Sequence, residues 1–419
     1  MKLFDRPERK DWQAILARPT ANISEIEGRV QPILEEVRNN GDEALRKFAL
    51  VFDNILLNEF EVSSSDLDSA EAELSDELKD AIKLAYANVY KFHEAQKSEP
   101  EVIETMSGVA CWRKSVGIEK VGIYIPGGTA PLFSTVLMLG IPAKIAGCKE
   151  IVLCSPSNHP AILFAAKLVG VTKVFRIGGA QAVAALAYGT ESVPQVSKIF
   201  GPGNQYVTAA KQLVSKEGVA IDMPAGPSEV AVFADDSAEP AFVAADLLSQ
   251  AEHGIDSQVI LVSTSSEMIG LVQKEVYNQL EELPRKELAA ASLENSKCIF
   301  VSSQKEAIDI LNEYAAEHLI LAVENAEEVG EQIVNAGSIF LGNYTPESCG
   351  DYASGTNHTL PTNGFAKAYS GVSLDSFVKK ITFQKITKAG LEKLGPAVQI
   401  MAEAESLQGH SNAVKVRLK

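Results

Sequence analysis

Between Val121 and Gly342 the chain alternates short apolar runs with helical segments, and this alternation restricts the fold more than any other feature. "VGIYI", "EIVLCS", "TKVFRI", "VSKIF" and "VAIDM" are separated by apolar helical runs such as "PAILFAAKLVG" and "AQAVAALAYGT". Runs so uniformly apolar need cover on both faces, which is the condition of a parallel sheet lying between helices. Right-handed crossovers then make a doubly wound, Rossmann-like unit. A second round follows in "EVAVFAD", "SQVILVS", "CIFVSS", "HLILAV" and "GSIFLG", with helices expected around 238–252, 266–293, 304–317 and 325–335. The chain reads as two α/β units of similar build joined at "DMPAGPSEV", with the ligand cleft expected at the carboxyl ends of the strands.

The flanks read differently. Residues 1 to about 110 read as helical; in "SDELKDAIKLAYANVYKFHEAQ" Leu78, Ile82, Ala85, Val89 and Phe92 recur at helical spacing. From Gly342, "GNYTPESCGDYASGTNHTLPTNG" reads as a long polar loop without secondary structure, the kind usually kept for function. A helical tail is expected over about 385–419.

Composition excludes several classes. With 38 Lys and Arg against 55 Asp and Glu, the formal charge of −17 opposes a nucleic-acid partner, which needs a positive footprint. The N-terminal "MKLFDRPERKDW" lacks the apolar core of a signal peptide. The most apolar stretch, "APLFSTVLMLGIPAKIAGC", is broken by polar residues, so no membrane span is expected. Five scattered cysteines without C-x-x-C suit core thiols in a reducing cytoplasm.

Neither standard phosphate-loop fingerprint is present. "IGGAQA" and "GPGNQY" stand between a strand and a helix, where backbone N–H groups can hold a phosphate or simply turn the chain. With "IPGG" beside them, a dinucleotide site and plain turns remain the two alternatives. Of the six histidines, His93 and His159 read as structural. Gln250 and His253 in "SQAEHG" are three apart and share a helical face; they fit a helix-end polar pair or half of a metal site, although an amide oxygen is an uncommon zinc ligand. Glu317 and His318 in "YAAEHLIL" meet where a helix enters a buried strand, and fit a solvated helix end or a general-base pair. The polar loop adds Glu347, Asp351 and His358, and the tail adds Glu403, Glu405 and His410.

Taken in order, "VGIYIPGGTAP", "GPGNQYV", "IDMPAGPSEV", "DLLSQAEHG", "AEHLIL" and "GDYASGTNHTLPT" strongly resemble the histidinol dehydrogenase family, from about residue 20 to the end. "PAGPSEV" and "DLLSQAEHG" form its signature. The resemblance implies a cytoplasmic, zinc-dependent enzyme that oxidises L-histidinol through L-histidinal to L-histidine with two NAD⁺. It implies zinc ligands at Gln250, His253, Asp351 and His410, and proton acceptors at Glu317 and His318. Substrate contacts fall at Ser228, Gln250, His253, His318, Asp351, Glu405 and His410, and cofactor contacts at Tyr124, Gln181 and Asn204. The family's homodimers intertwine their C-terminal tails, so His410 is expected to serve the other subunit's site. The organisation so implied is a helical region over 1–120 packed partly on the second unit, an NAD-binding unit over 121–227, a metal and substrate unit over 228–372, and a domain-swapped tail over 373–419. Two other readings fit the residues alone: a metal-dependent hydrolase in which Glu317 activates water, and a two-lobed binding protein, which has no need of the Glu317–His318 pair.

Overall fold

A computed structural model describes residues 1–19, 23–53, 55–128 and 130–419; Thr129 of the "PGGTAP" turn lies outside them. The first α/β unit is a parallel sheet of β4 (Lys120–Tyr124), β5 (Glu150–Cys154), β6 (Lys173–Phe175), β7 (Lys198–Phe200) and β8 (Ala220–Ile221), in the order β6-β5-β4-β7-β8. The second is built from β9 (Glu229–Ala234), β10 (Gln258–Ser263), β11 (Lys297–Phe300), β12 (His318–Ala322) and β13 (Ser338–Leu341). Its order, β11-β10-β9-β12-β13, repeats that of the first, and β1 (Lys2–Asp5) extends it beyond β11.

The two-residue period of a strand explains why these runs had to be apolar throughout. In β5, Ile151 and Leu153 enter one core with the helices Asp76–Glu94, Phe133–Ala146 and Pro160–Val169. Val152 and Cys154 enter the opposite core with Ile23–Asp53, Gly179–Tyr188 and Gln205–Lys216. β9 divides likewise: Val230, Val232 and Ala234 face one helical layer, while Ala231 and Phe233 meet Trp12, Ile15 and Leu16 from the N-terminal segment. Each fully buried Val, Leu or Ile gains about 1.5–3 kcal/mol over exposure, so two apolar faces outweigh any local preference.

Several expectations are corrected. The first 120 residues are not uniformly helical. β1 has no apolar pattern of its own and is held by its parallel pairing with β11, Leu3 opposite Cys298. β2 (Val102–Met106) and β3 (Val109–Gly117) form a hairpin whose turn uses Gly108 at φ 84°, a left-handed conformation that glycine adopts without strain. The helix expected over 266–293 is two, Ser266–Leu280 and Lys286–Glu294, because Pro284 disfavours helical geometry at the residue before it. The loop after Gly342 contains a short helix, Glu347–Tyr352, which carries Asp351. The tail counted from 373 contains β14 (Val378–Ile386), antiparallel to β3 in a three-stranded sheet of order β14-β3-β2, and the helices expected from about 385 follow it.

Beyond β14 the helices Lys388–Ala404 and Gln408–Lys415 pack on each other. Thr387 joins them to the hairpin through its backbone N–H on Gly108 O at 2.9 Å. Ile381, Phe383, Ile400, Met401 and Leu407 are exposed along this arm. Trp112 stacks on Phe383 at 5.4 Å, beside a cavity of about 810 Å³ that also touches Ile103 and Lys380. Among the described residues no helix is long and apolar enough to cross a membrane, and all five cysteines are free.

Candidate active site

The densest group of buried ionisable side chains lies where β9 and β12 begin. Strand pairing sets His318 beside Val230, so Glu317 meets Glu229 at the amino ends of the two strands. The Glu229 N–H donates to Glu317 Oε2 at 3.0 Å. His318 Nε2 lies 3.2 Å from Asp351 Oδ1, and its Nδ1 lies 3.7 Å from Glu317 Oε2. The cluster therefore occupies the amino ends of the second sheet, not the carboxyl ends where the general rule for open α/β sheets placed it.

Gln250 is in the last turn of the helix Pro240–Ala251, while His253 falls in the turn just past it, its N–H donating to Gln250 O at 3.2 Å. Gln250 is fully buried. With its amide oriented to satisfy both neighbours, it donates to Glu347 Oε1 at 2.8 Å and accepts from the Glu229 N–H at 3.0 Å. Ser249 Oγ also donates to Glu347, at 3.0 Å. His358 donates from Nδ1 to Asp351 O at 2.7 Å, and its Nε2 pairs with Thr135 Oγ1 at 3.0 Å, which ties this loop to the first unit.

Burial dominates the electrostatics. It pushes the carboxyls of Asp246 and Glu317 up to about 7 and that of Glu347 to about 8. Burial opposes a charge on His318, yet Glu317, Glu347 and Asp351 together outweigh it and raise the imidazole to about 10. Burial likewise works against Asp351, but the hydrogen bond and charge of His318 hold its carboxyl below the ordinary value. Among the described residues Glu347 Oε2 and His318 Nδ1 are buried without a hydrogen-bond partner. A surplus of buried carboxylate, two orphaned polar atoms and N/O donors at Gln250, His253 and Asp351 fit a divalent cation. Three His, Cys, Asp or Glu side chains do not converge on one point among the described residues, and Glu405 and His410 stand exposed on the tail, apart from this cluster.

The three expected cofactor positions gather at the carboxyl end of the first sheet. Tyr124 ends β4, and its hydroxyl accepts from the Gly179 N–H at 3.0 Å. Gln181 is buried in the helix Gly179–Tyr188, its Oε1 without a partner among the described residues. Asn204 caps the helix Gln205–Lys216, accepting from the N–H groups of Tyr206 and Val207 at 3.0 and 3.1 Å, which leaves its amide NH₂ free to donate. The turn before it is held by the buried Lys211–Asp222 pair: Lys211 donates to Gly201 O and Gly201 N–H donates to Asp222, each at 2.8 Å. Gly201 sits at φ 126° with its α-carbon against Tyr124 O, where no β-carbon fits.

The histidinol dehydrogenase family model matches residues 16–418. A histidinol dehydrogenase from Bacteroides thetaiotaomicron is 60% identical over 423 residues, covering 100% of this chain and 99% of its own. The chain belongs to the histidinol dehydrogenase family. One from Yersinia pestis is 52% identical over 97% of this chain and 93% of its own. The crystal structure of the enzyme from Elizabethkingia anophelis superposes with a TM-score of 0.97 at 53% identity, covering 100% of this chain and 98% of that one. As a histidinol dehydrogenase, the chain is an NAD-dependent oxidoreductase with histidinol as substrate and histidine as product.

For this histidinol dehydrogenase, reading the sequence missed Glu229, Asp246, Ser249 and Arg18, all of which touch or surround the cluster. An acid heading the apolar run "EVAVFA" was the available signal for Glu229; the other three have none. The raised carboxyls make a prediction. A group whose pKa is higher folded than unfolded keeps a proton that the unfolded chain has lost, so stability falls as pH rises from ordinary carboxyl values through about 7–8. His318, raised as well, has the same sign. Chelator-treated protein should lose thermal midpoint between about pH 5 and 8 more steeply than Glu347→Gln, and added zinc should raise the midpoint more at pH 8 than at pH 6. Parallel pH curves for the two proteins, or a zinc shift independent of pH, would count against the assignment.

Proposed function

We propose that the chain carries out both oxidations, histidinol to histidinal and histidinal to histidine, at a zinc site shared between two subunits, consuming two NAD⁺. The observation that carries this reading is the buried Glu317–His318 pair at the entrance of β12, with Asp351 3.2 Å from the imidazole. Gln250, His253 and Asp351, with His410 of the partner subunit, would hold zinc, which would supply a positive charge to position the substrate and to let His318 stay neutral among its carboxylates. Tyr124, Gln181 and Asn204, in the unit over 121–227, would hold NAD⁺, which would supply the hydride acceptor for each oxidation.

His318, once neutral, takes the hydroxyl proton as the alcohol is oxidised. Glu317 then activates the water that adds to the aldehyde: Oε2 is fixed by the Glu229 N–H, and a carboxyl near 7 can accept a proton at neutral pH. Ser228 at the head of β9, with Glu405 and His410 of the partner subunit, completes the substrate's surroundings. The unit over 228–372 carries the metal and substrate, and the tail from 373 crosses to the other subunit. The tail's exposed Ile400, Met401 and Leu407, and the exposure of His410 on the same tail, support a homodimer. Zinc-loaded protein given limiting histidinol and excess NAD⁺ should yield about two NADH per histidinol, one for each hydride removed. A yield of one, or no absorbance change, would overturn the two-step reading.

A further inference from the structure

We propose that Arg18, in the N-terminal segment, is a positioning residue for Glu317, acting through Glu229 and Tyr314. This rests on the reading of Glu317 as the group that activates water. Arg18 is largely buried, following Trp12, Ile15 and Leu16, which pack under β9 and β10. Its Nε donates to Glu229 Oε2 at 2.6 Å and its Nη2 to Tyr314 O at 2.7 Å, while the guanidinium lies 4.0 Å above the Tyr314 ring.

Both contacts lead to the same carboxylate. Glu229 holds Glu317 directly, its N–H on Oε2 at 3.0 Å. Tyr314 ends the helix from which Ala315, at φ 54°, turns the chain through Ala316 into Glu317. One guanidinium fork thus grips the strand that hydrogen-bonds Glu317 and the helix end that delivers it. Glu229 Oε1 accepts the Asn363 N–H besides, so the same carboxylate anchors the end of the loop that carries Asp351. Tyr314 OH donates to Gln258 Oε1 at 3.0 Å and locks the ring beneath the guanidinium. A bidentate fork orients as well as attracts, which a point charge does not. Among the described residues Arg18 makes no hydrogen bond to Gln250, His253 or Asp351 or to the nucleotide positions, so it acts on the reaction through Tyr314 and through Glu229, whose N–H Glu317 shares with Gln250.

The test is a double-mutant cycle read in single turnovers. Arg18→Lys keeps the charge but loses the fork; Arg18→Met with Glu229→Gln removes both charges and avoids a lone buried carboxylate that could unfold the chain. Each is made alone and on a Glu317→Gln background, and NADH formation is followed separately from histidinol and from histidinal. Both variants should slow the histidinal step about tenfold or more relative to the histidinol step, with zinc content and KM for NAD⁺ unchanged. On the Glu317→Gln background they should have no further effect, because the group they position is gone. Equal slowing of both steps, a lowered thermal midpoint alone, or full additivity with Glu317→Gln would overturn the inference. If Glu317→Gln itself spares the histidinal step, the reading of Glu317 as water activator fails; the absence or presence of additivity still decides whether Arg18 acts through it.

Discussion

His318→Gln is expected to lower kcat for histidinol about a thousandfold, within the range that a positioned general base contributes. KM for NAD⁺ should hardly change, because Tyr124, Gln181 and Asn204 lie at the other sheet. Glu317→Gln should behave differently. Its amide oxygen can still accept the Glu229 N–H, so the cluster keeps its shape while the base is lost. The first hydride leaves at close to the normal rate and the second does not, and rapid mixing with histidinol should show a burst of about one NADH per site followed by a slow phase. Histidinal should accumulate during that slow phase, detectable with a carbonyl reagent. Two fast NADH from Glu317→Gln would remove Glu317 from the second step; normal turnover by His318→Gln would remove His318 from the first.

The second large effect concerns the tail. His253→Ala and His410→Ala should each be inactive as separate proteins, since each deletes one proposed zinc ligand. If His410 serves the other subunit, a mixed dimer contains one site with both histidines and one with neither. Random exchange makes half of the dimers mixed, so activity should return to about a quarter of wild type after subunit mixing. Native mass spectrometry confirms that exchange has occurred. Exchanged dimers that remain inactive would place His410 in its own chain's site. The Ile400–Met401–Leu407 surface predicts where exchange is blocked: charged substitutions there should give monomers that keep their fold and lose activity.

Much of the architecture was legible because burial on both faces leaves a plain mark in sequence. β4, β5, β9, β10 and β12 are apolar through their buried middles, between helical layers on both faces. The hairpin of β2 and β3 left a weaker mark, the Ser107-Gly108 turn pair, in a region beyond the helix that ends at Glu94. β1 left none, since four residues including Lys2 and Asp5 are strand only because β11 is beside them. Within the site, Glu317–His318 and Gln250–His253 stood out as adjacent or helix-spaced polar pairs in apolar surroundings. That Gln250 comes to the amino ends of β9 and β12, close to Glu317, was not legible, because the contact of Gln250 with the Glu229 N–H is a tertiary one. Arg18 and Glu229, 211 residues apart, pair for the same reason.

β1 also imposes an order of events on synthesis. The first sheet, β4 to β8, is contiguous in the chain and can close as soon as it leaves the ribosome. β1, made before that sheet, has no partner until β11 emerges, with Lys2 waiting for Lys297. Arg18 waits as well, since Glu229 and Tyr314 lie beyond the first unit. Closing so long a loop is slow, and the early segment stays open to proteases meanwhile. Pulse-labelled chains arrested before β11 should therefore be trimmed at their N-terminus while the first unit resists digestion. The same geometry makes a bulky N-terminal fusion a direct load on the second sheet's edge.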